Sequence, residues 1–283
     1  MITGSEIDNL VLLFDDRDNV VKEAVAKRLR EAGLDALDVL SAMIAAENSD
    51  SKRERYLAFK EFLIHETVIS EFKKMLIKPE FSLEDGLSAL SVITEEASHG
   101  RFRNHIDSEV YEIISEISDD RTDVENMEIF NYIFFNRLRY SFTHPSLNEI
   151  RFINVGDVVF NKLGNPLVVS VIYFLYASKA GIPVYPLAFR GGFIPVYLNK
   201  KGDVLFYLNI YKNGEIFLEN SHKKFFSDAG FEIDESTLKI KGDKYLTAIF
   251  VEVLKHYYAS KGNLRCEALL GEISVLLDEE EFI

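Results

Sequence analysis

Proline is the strongest constraint on this chain. Of its six prolines five lie between Pro145 and Pro195, and the first 140 residues hold only Pro79. A proline in a helix interior removes a hydrogen bond and clashes with the preceding turn, so the N-terminal half is free to be nearly continuous helix and the middle is not. From about Tyr185 the texture changes. Val184–Val196, Asp203–Tyr211 and Glu215–Glu219 are rich in aromatic and β-branched residues and read as strands. Lys212-Asn213-Gly214 separates the last two, and Asn-Gly between apolar runs predicts a hairpin because both positions favour positive φ. The chain returns to helical spacing after Gly242. Tyr245 to Tyr258 and Leu264 to Leu277 form two amphipathic segments joined at Gly262-Asn263, an αα-hairpin. The expected class is α+β, with a central helix packed on an antiparallel sheet.

Helical spacing also organises the N-terminus. Ile7, Leu10, Val11 and Phe14 make one stripe, which Asp15-Asp16-Arg17-Asp18 interrupts. Asp18 is placed to cap a second helix carrying Val20, Val21, Ala24, Val25 and Leu29, and Gly33 to stop it. Leu37, Val39, Leu40 and Met43 begin a third. Helix, acidic turn, helix and glycine resemble a HEAT-type repeat, with a plain helical bundle the competing reading. Pro79-Glu80-Phe81-Ser82 marks a boundary, and Ser82 with Asp85 is positioned to cap the next helix. Three regions are therefore expected: a HEAT-like region over 1–78, an α+β domain over 79–241 and a helical hairpin over 242–283.

The net charge is −14, from 46 acidic and 32 basic residues. Such a surface repels phosphate backbones and anionic lipid, which argues against nucleic-acid and membrane partners. The single cysteine, Cys266, excludes an internal disulfide framework and fits a reducing compartment. The N-terminal MITGSEIDN lacks the basic and apolar regions of a signal peptide. The apolar run from Pro166 to Ala177 falls short of the roughly 20 residues that span a bilayer. A cytoplasmic location is expected.

Asn165-Pro166 opens the most apolar segment. Asn is a good N-cap and Pro a pre-set first residue, so a helix should run to about Lys179 and end at Gly181. Being apolar nearly all round, it should be buried. The stretch NEIRFINVGDVVFNKLGNPLVVSVIYFLYASKAGIPVYPLAFRGGF, residues 148–193, resembles the bacterial transglutaminase-like family of the SirB type. That family carries an asparagine-led helix ending in G-x-P, an apolar helix, G-[LI]-P, and a strand with F-P-G-H-F. Upstream, MEIFNYIFFNRLRY sits where the family has an aromatic helix. Downstream, YLNIYKNGEIF is similar to its [LI]-D-P-[FY]-x-x-G-x-[IL], and the closing helices fall where relatives carry a tetratricopeptide-like repeat.

The resemblance implies a fold shared with papain-like proteases, in which a cysteine begins the central helix and a histidine and an aspartate come later on adjacent strands. A helix N-terminus and an imidazolium activate such a thiol, and the aspartate fixes the imidazole. Carried onto this sequence, the three positions fall at Pro166, Gly192 and Asn209. None of these side chains can serve as nucleophile or base. Arg190-Gly191-Gly192 accordingly reads as a strand position emptied of its histidine. As a phosphate loop it lacks the lysine and the helix start.

A rebuilt site would need another nucleophile and base. Ser170 lies one turn along the helix face from Pro166, with His222 the nearest base in sequence; the competing reading is a buried serine bonding the i−4 carbonyl and a histidine on a surface turn. Cys266 is expected to be packed rather than reactive. Glu95, Glu96, His99 and His105 offer a carboxylate–imidazole grouping that reads as a solvated face, and no metal or cofactor is expected. The aromatics Phe130, Tyr132, Phe134 and Phe135 read as helix-packing residues. Three functions remain: a non-catalytic transglutaminase-like module that binds a protein partner, a hydrolase or acyltransferase rebuilt on Ser170 or Cys266 with His222, and a HEAT-like helical adaptor.

Overall fold

The computed structural model describes residues 2–14, 16–94, 101–144, 148–217 and 237–277. They divide into two compact units: residues 1–81 with 88–99, and residues 82–87 with 100–283.

The first unit is helical: α1 (Gly4–Phe14), α2 (Asn19–Ala32), α3 (Leu34–Ala46) and α4 (Asp50–Leu76). Asp18 caps α2 by accepting the Val20 amide at 2.8 Å, and Gly33, at φ +56°, ends it. Ile7, Leu29, Leu40, Phe59 and Phe72 make its core. Helix α5 (Leu83–Thr94) has Ser82 at its start, accepting from the Asp85 amide at 3.2 Å.

The second unit continues with α6 (Arg101–Glu116), α7 (Asp123–Asn131) and a π-helical turn over Tyr132–Arg137. A short strand β1 (Ser141–Phe142) precedes α8 (Val155–Asn161) and pairs in parallel with β2 (Leu163–Gly164). Helix α9 (Pro166–Lys179) comes next. Asn165 caps it, accepting the Leu167 amide at 2.9 Å, and Pro166 is its first residue. Ten of its residues, from Val168 to Ala177, are buried, as its all-round apolarity requires.

Five antiparallel strands form the sheet, in the order β6-β5-β4-β3-β7. They are β3 (Val184–Phe189), β4 (Gly192–Leu198), β5 (Val204–Asn209), β6 (Glu215–Phe217) and β7 (Lys239–Ile240). Their register corrects the reading of Val184–Val196 as one strand with Arg190-Gly191-Gly192 as an emptied position within it. Phe189 pairs with Gly192, so Arg190 and Gly191 are a two-residue hairpin turn. Gly191 takes φ +104°, which a side chain resists, and that need explains the glycine. The hairpin between β5 and β6 has Asn213 and Gly214 at φ +56° and +77°, as the Asn-Gly pair requires. Two helices close the described chain, α10 (Asp243–Ser260) and α11 (Leu264–Leu277).

Candidate functional site

Pro166 stands at the mouth of α9 with no polar hydrogen to give. One turn in, Ser170 is buried, and its hydroxyl donates to the Pro166 carbonyl at 2.8 Å. A serine held this way has its proton engaged with the helix backbone. Over it lies Tyr211, from the 3-10 turn Ile210–Lys212 that succeeds β5. Burial pushes the Tyr211 phenol up, and the Ser170 hydroxyl is its hydrogen-bonding neighbour. The Tyr211 ring meets Phe142 with centroids 5.4 Å apart. Tyr211, with Phe142 packed beside it, thus forms a partial roof over Ser170.

The sheet residues divide by face. Phe193 on β4 meets Phe174 of α9 at 5.6 Å between centroids, so odd positions of β4 look toward the helix. Gly192 is on the other face. A Cβ there would lie 3.3 Å from the ring of Phe189, which packs with Leu187, Ile194, Val196, Leu198 and Tyr207. Asn209 is two residues beyond Tyr207 on β5 and shares that face. Gly192 and Asn209 thus share the sheet face opposite the one that carries Phe193. The neighbours Gly191, Phe193, Leu208 and Ile210 are all without an ionisable group, so reading the alignment one residue either way at the two strand positions restores no acid or base.

Cys266 lies on α11. Burial raises its thiol pKa, and a hydrogen bond with Asn263 offsets part of that, which keeps the sulfur protonated. His222 lies outside the described residues, as do Glu95, Glu96 and His99. Among the described residues no group of three His, Cys, Asp or Glu side chains is placed to hold a metal ion.

The densest chemistry in the unit sits two to three turns along α9, where no sequence motif pointed. Glu109 of α6 and Lys162, the left-handed residue at φ +59° that ends α8, form a nearly buried ion pair, Nζ lying 2.5 and 2.6 Å from the carboxylate oxygens. Lys162 also donates to the Tyr140 hydroxyl at 3.2 Å and lies over that ring. Tyr140 and Tyr176 share a hydrogen bond of 2.9 Å, and Tyr176 donates to Glu109. Since Tyr140 accepts from lysine and Tyr176 gives its proton to glutamate, Tyr140 must donate to Tyr176, and the ring of bonds closes. His105, the described member of the carboxylate–imidazole grouping, reaches the rim, with Nε2 3.1 Å from Glu109. Burial lowers the Lys162 pKa while the Glu109 charge opposes the fall, and burial pushes both phenols far up. Both phenol protons are engaged and the lysine and glutamate bond each other, which is the arrangement of a structural lock. The sequence held one signal: Tyr173 and Tyr176 in an otherwise apolar helix, each needing a buried partner.

The comparisons accord with this architecture. A family model of the transglutaminase-like superfamily matches residues 100–245, from the start of α6 into α10. The chain belongs to that superfamily. No curated protein and no solved structure gives a significant match.

Proposed function

We propose that this chain is a non-catalytic transglutaminase-like protein that works by binding a protein partner, with its helical flanks as the contact surface. One observation carries the reading: the mouth of α9 offers a proline, a back-bonded serine and two roofing aromatics where the family's chemistry needs a thiol and an imidazole. The finer assignment, to the SirB type with Pro166, Gly192 and Asn209 as vestigial positions, rests on the motif resemblance. A cytoplasmic setting belongs to the same reading; among the described residues no helix is long and apolar enough to cross a membrane.

The test is turnover. Purified chain given peptide amides, thioesters and an amine acceptor should release no ammonia or thiol and incorporate no amine above the blank. Turnover that disappears in Ser170→Ala or Cys266→Ala would overturn the proposal and revive the rebuilt hydrolase or acyltransferase. The adaptor reading differs in location: it requires a partner captured by the intact chain to be lost when residues 1–75 are removed.

A further inference from the structure

The chain after α7 is π-helical over Tyr132–Arg137, and the Leu138 amide reaches back five residues to the Ile133 carbonyl at 2.8 Å. A π-turn is an α-helix carrying one residue too many. It is rare, and is found mostly where the surplus residue serves a purpose.

Two tyrosines of α9 hold its ends. Before the turn, Tyr173 donates to the Asn131 side-chain oxygen at 2.6 Å, and the Asn131 amide donates to the Gly214 carbonyl at 2.8 Å. After the turn, Tyr140 bonds Tyr176. Three residues apart, the two phenols project from one face of α9. Between them Phe134 lies edge-on to both rings, at 5.2 and 5.4 Å.

The surplus residue has a geometric consequence. Removing it would rotate the chain beyond the turn by about 100°, the advance of one helical residue. That downstream chain holds Tyr140, then the backbone bonds from Ser141 to Lys162 and from Thr143 to Gly164, each 2.8 Å, and Phe142 between them. Phe142 is the residue that meets Tyr211 over Ser170.

We propose that the π-turn is a register lock for the mouth of α9: Tyr173 and Tyr176 pin its two ends, and only in this register does Phe142 reach Tyr211 and complete the roof over Ser170. The device depends on the surplus residue and on two hydroxyl groups, and it holds whether or not the chain is an enzyme.

Amide hydrogen exchange tests it in the full chain. One variant deletes Asn136, which is exposed; the other is Tyr173→Phe with Tyr176→Phe, which keeps both rings. In each, exchange at Ser141 and Thr143 should quicken by about tenfold or more, the scale of one lost hydrogen bond, while Ile172 in mid-α9 keeps its protection. A folded Asn136 deletion with wild-type protection at Ser141 and Thr143 overturns the proposal. So does an equal rise at Ile172, which would report general loosening. If the deletion does not fold, the double phenylalanine variant decides alone, and unchanged protection there is fatal.

Discussion

The two ends of α9 invite comparison. At its start the helix offers a proline, a back-bonded serine and two neighbouring aromatic rings. Further along, the same helix meets a lysine, a glutamate, a histidine and two tyrosines. The groups able to move protons are therefore at the second end, and there they bond one another across four segments. A cluster of ionisable side chains does not by itself mark a reaction. What distinguishes a lock from a site is whether any donor or acceptor is left over for a substrate.

The largest effect expected from breaking this contrast is at the lock. Glu109→Leu leaves the Lys162 ammonium without its counter-ion and should cost about 3–5 kcal/mol in urea unfolding, whereas adding Lys162→Met should recover part of that loss. If the double variant is no more stable than the single, the lysine is not held by charge. Next comes Gly214→Ala. Its Cβ would collide with the Asn131 side chain, at a φ of +77° that disfavours any side chain. Overpacking and left-handed strain together should cost about 3 kcal/mol in the same measurement.

At the other end of α9, losses should be smaller. Asn165→Ala removes the N-cap and should cost about 1 kcal/mol. The combined Pro166→Cys, Gly192→His and Asn209→Asp variant should show no acyl transfer and an unactivated thiol in alkylation-rate titrations, because the two strand positions face away from the helix. A thiol reactive at neutral pH would show that the face assignment is wrong.

The smallest effect is at the surface, where Arg137 holds the Glu116 carboxyl below its ordinary value. With a folded pKa lower than the unfolded one, this pair contributes stability above the ordinary carboxylate pKa of about 4.5 and loses it as pH falls through the folded value. Arg137→Gln should flatten the stability profile in that acid window and leave neutral pH nearly unchanged. A large loss at neutral pH would mean the pair does more than exposed ion pairs usually do.

Local signals in the sequence were reliable where a backbone demand selects a residue type. Asp18, Asn165-Pro166 and Asn213-Gly214 stand where caps and turns need them, and the apolar run after Pro166 is the buried helix. Arg190-Gly191 was the instructive miss. A tight turn between two apolar strands leaves the same residues as a strand with a gap, and periodicity cannot separate them because both flanks alternate alike. The lock was beyond reach for a different reason. Glu109, Tyr140, Lys162 and Tyr176 span 67 positions, and nothing local says that a lysine ending one helix will reach a glutamate on another.

Residue order alone therefore determined the helical first half and the central buried helix. Tertiary structure decided which face each strand residue takes, which hydroxyl groups are spent on one another and what covers the helix mouth. The physical reason is range: capping, turn and periodicity preferences act over a few residues, whereas burial and hydrogen-bond satisfaction are settled between segments that only the completed fold brings within about 3 Å of each other.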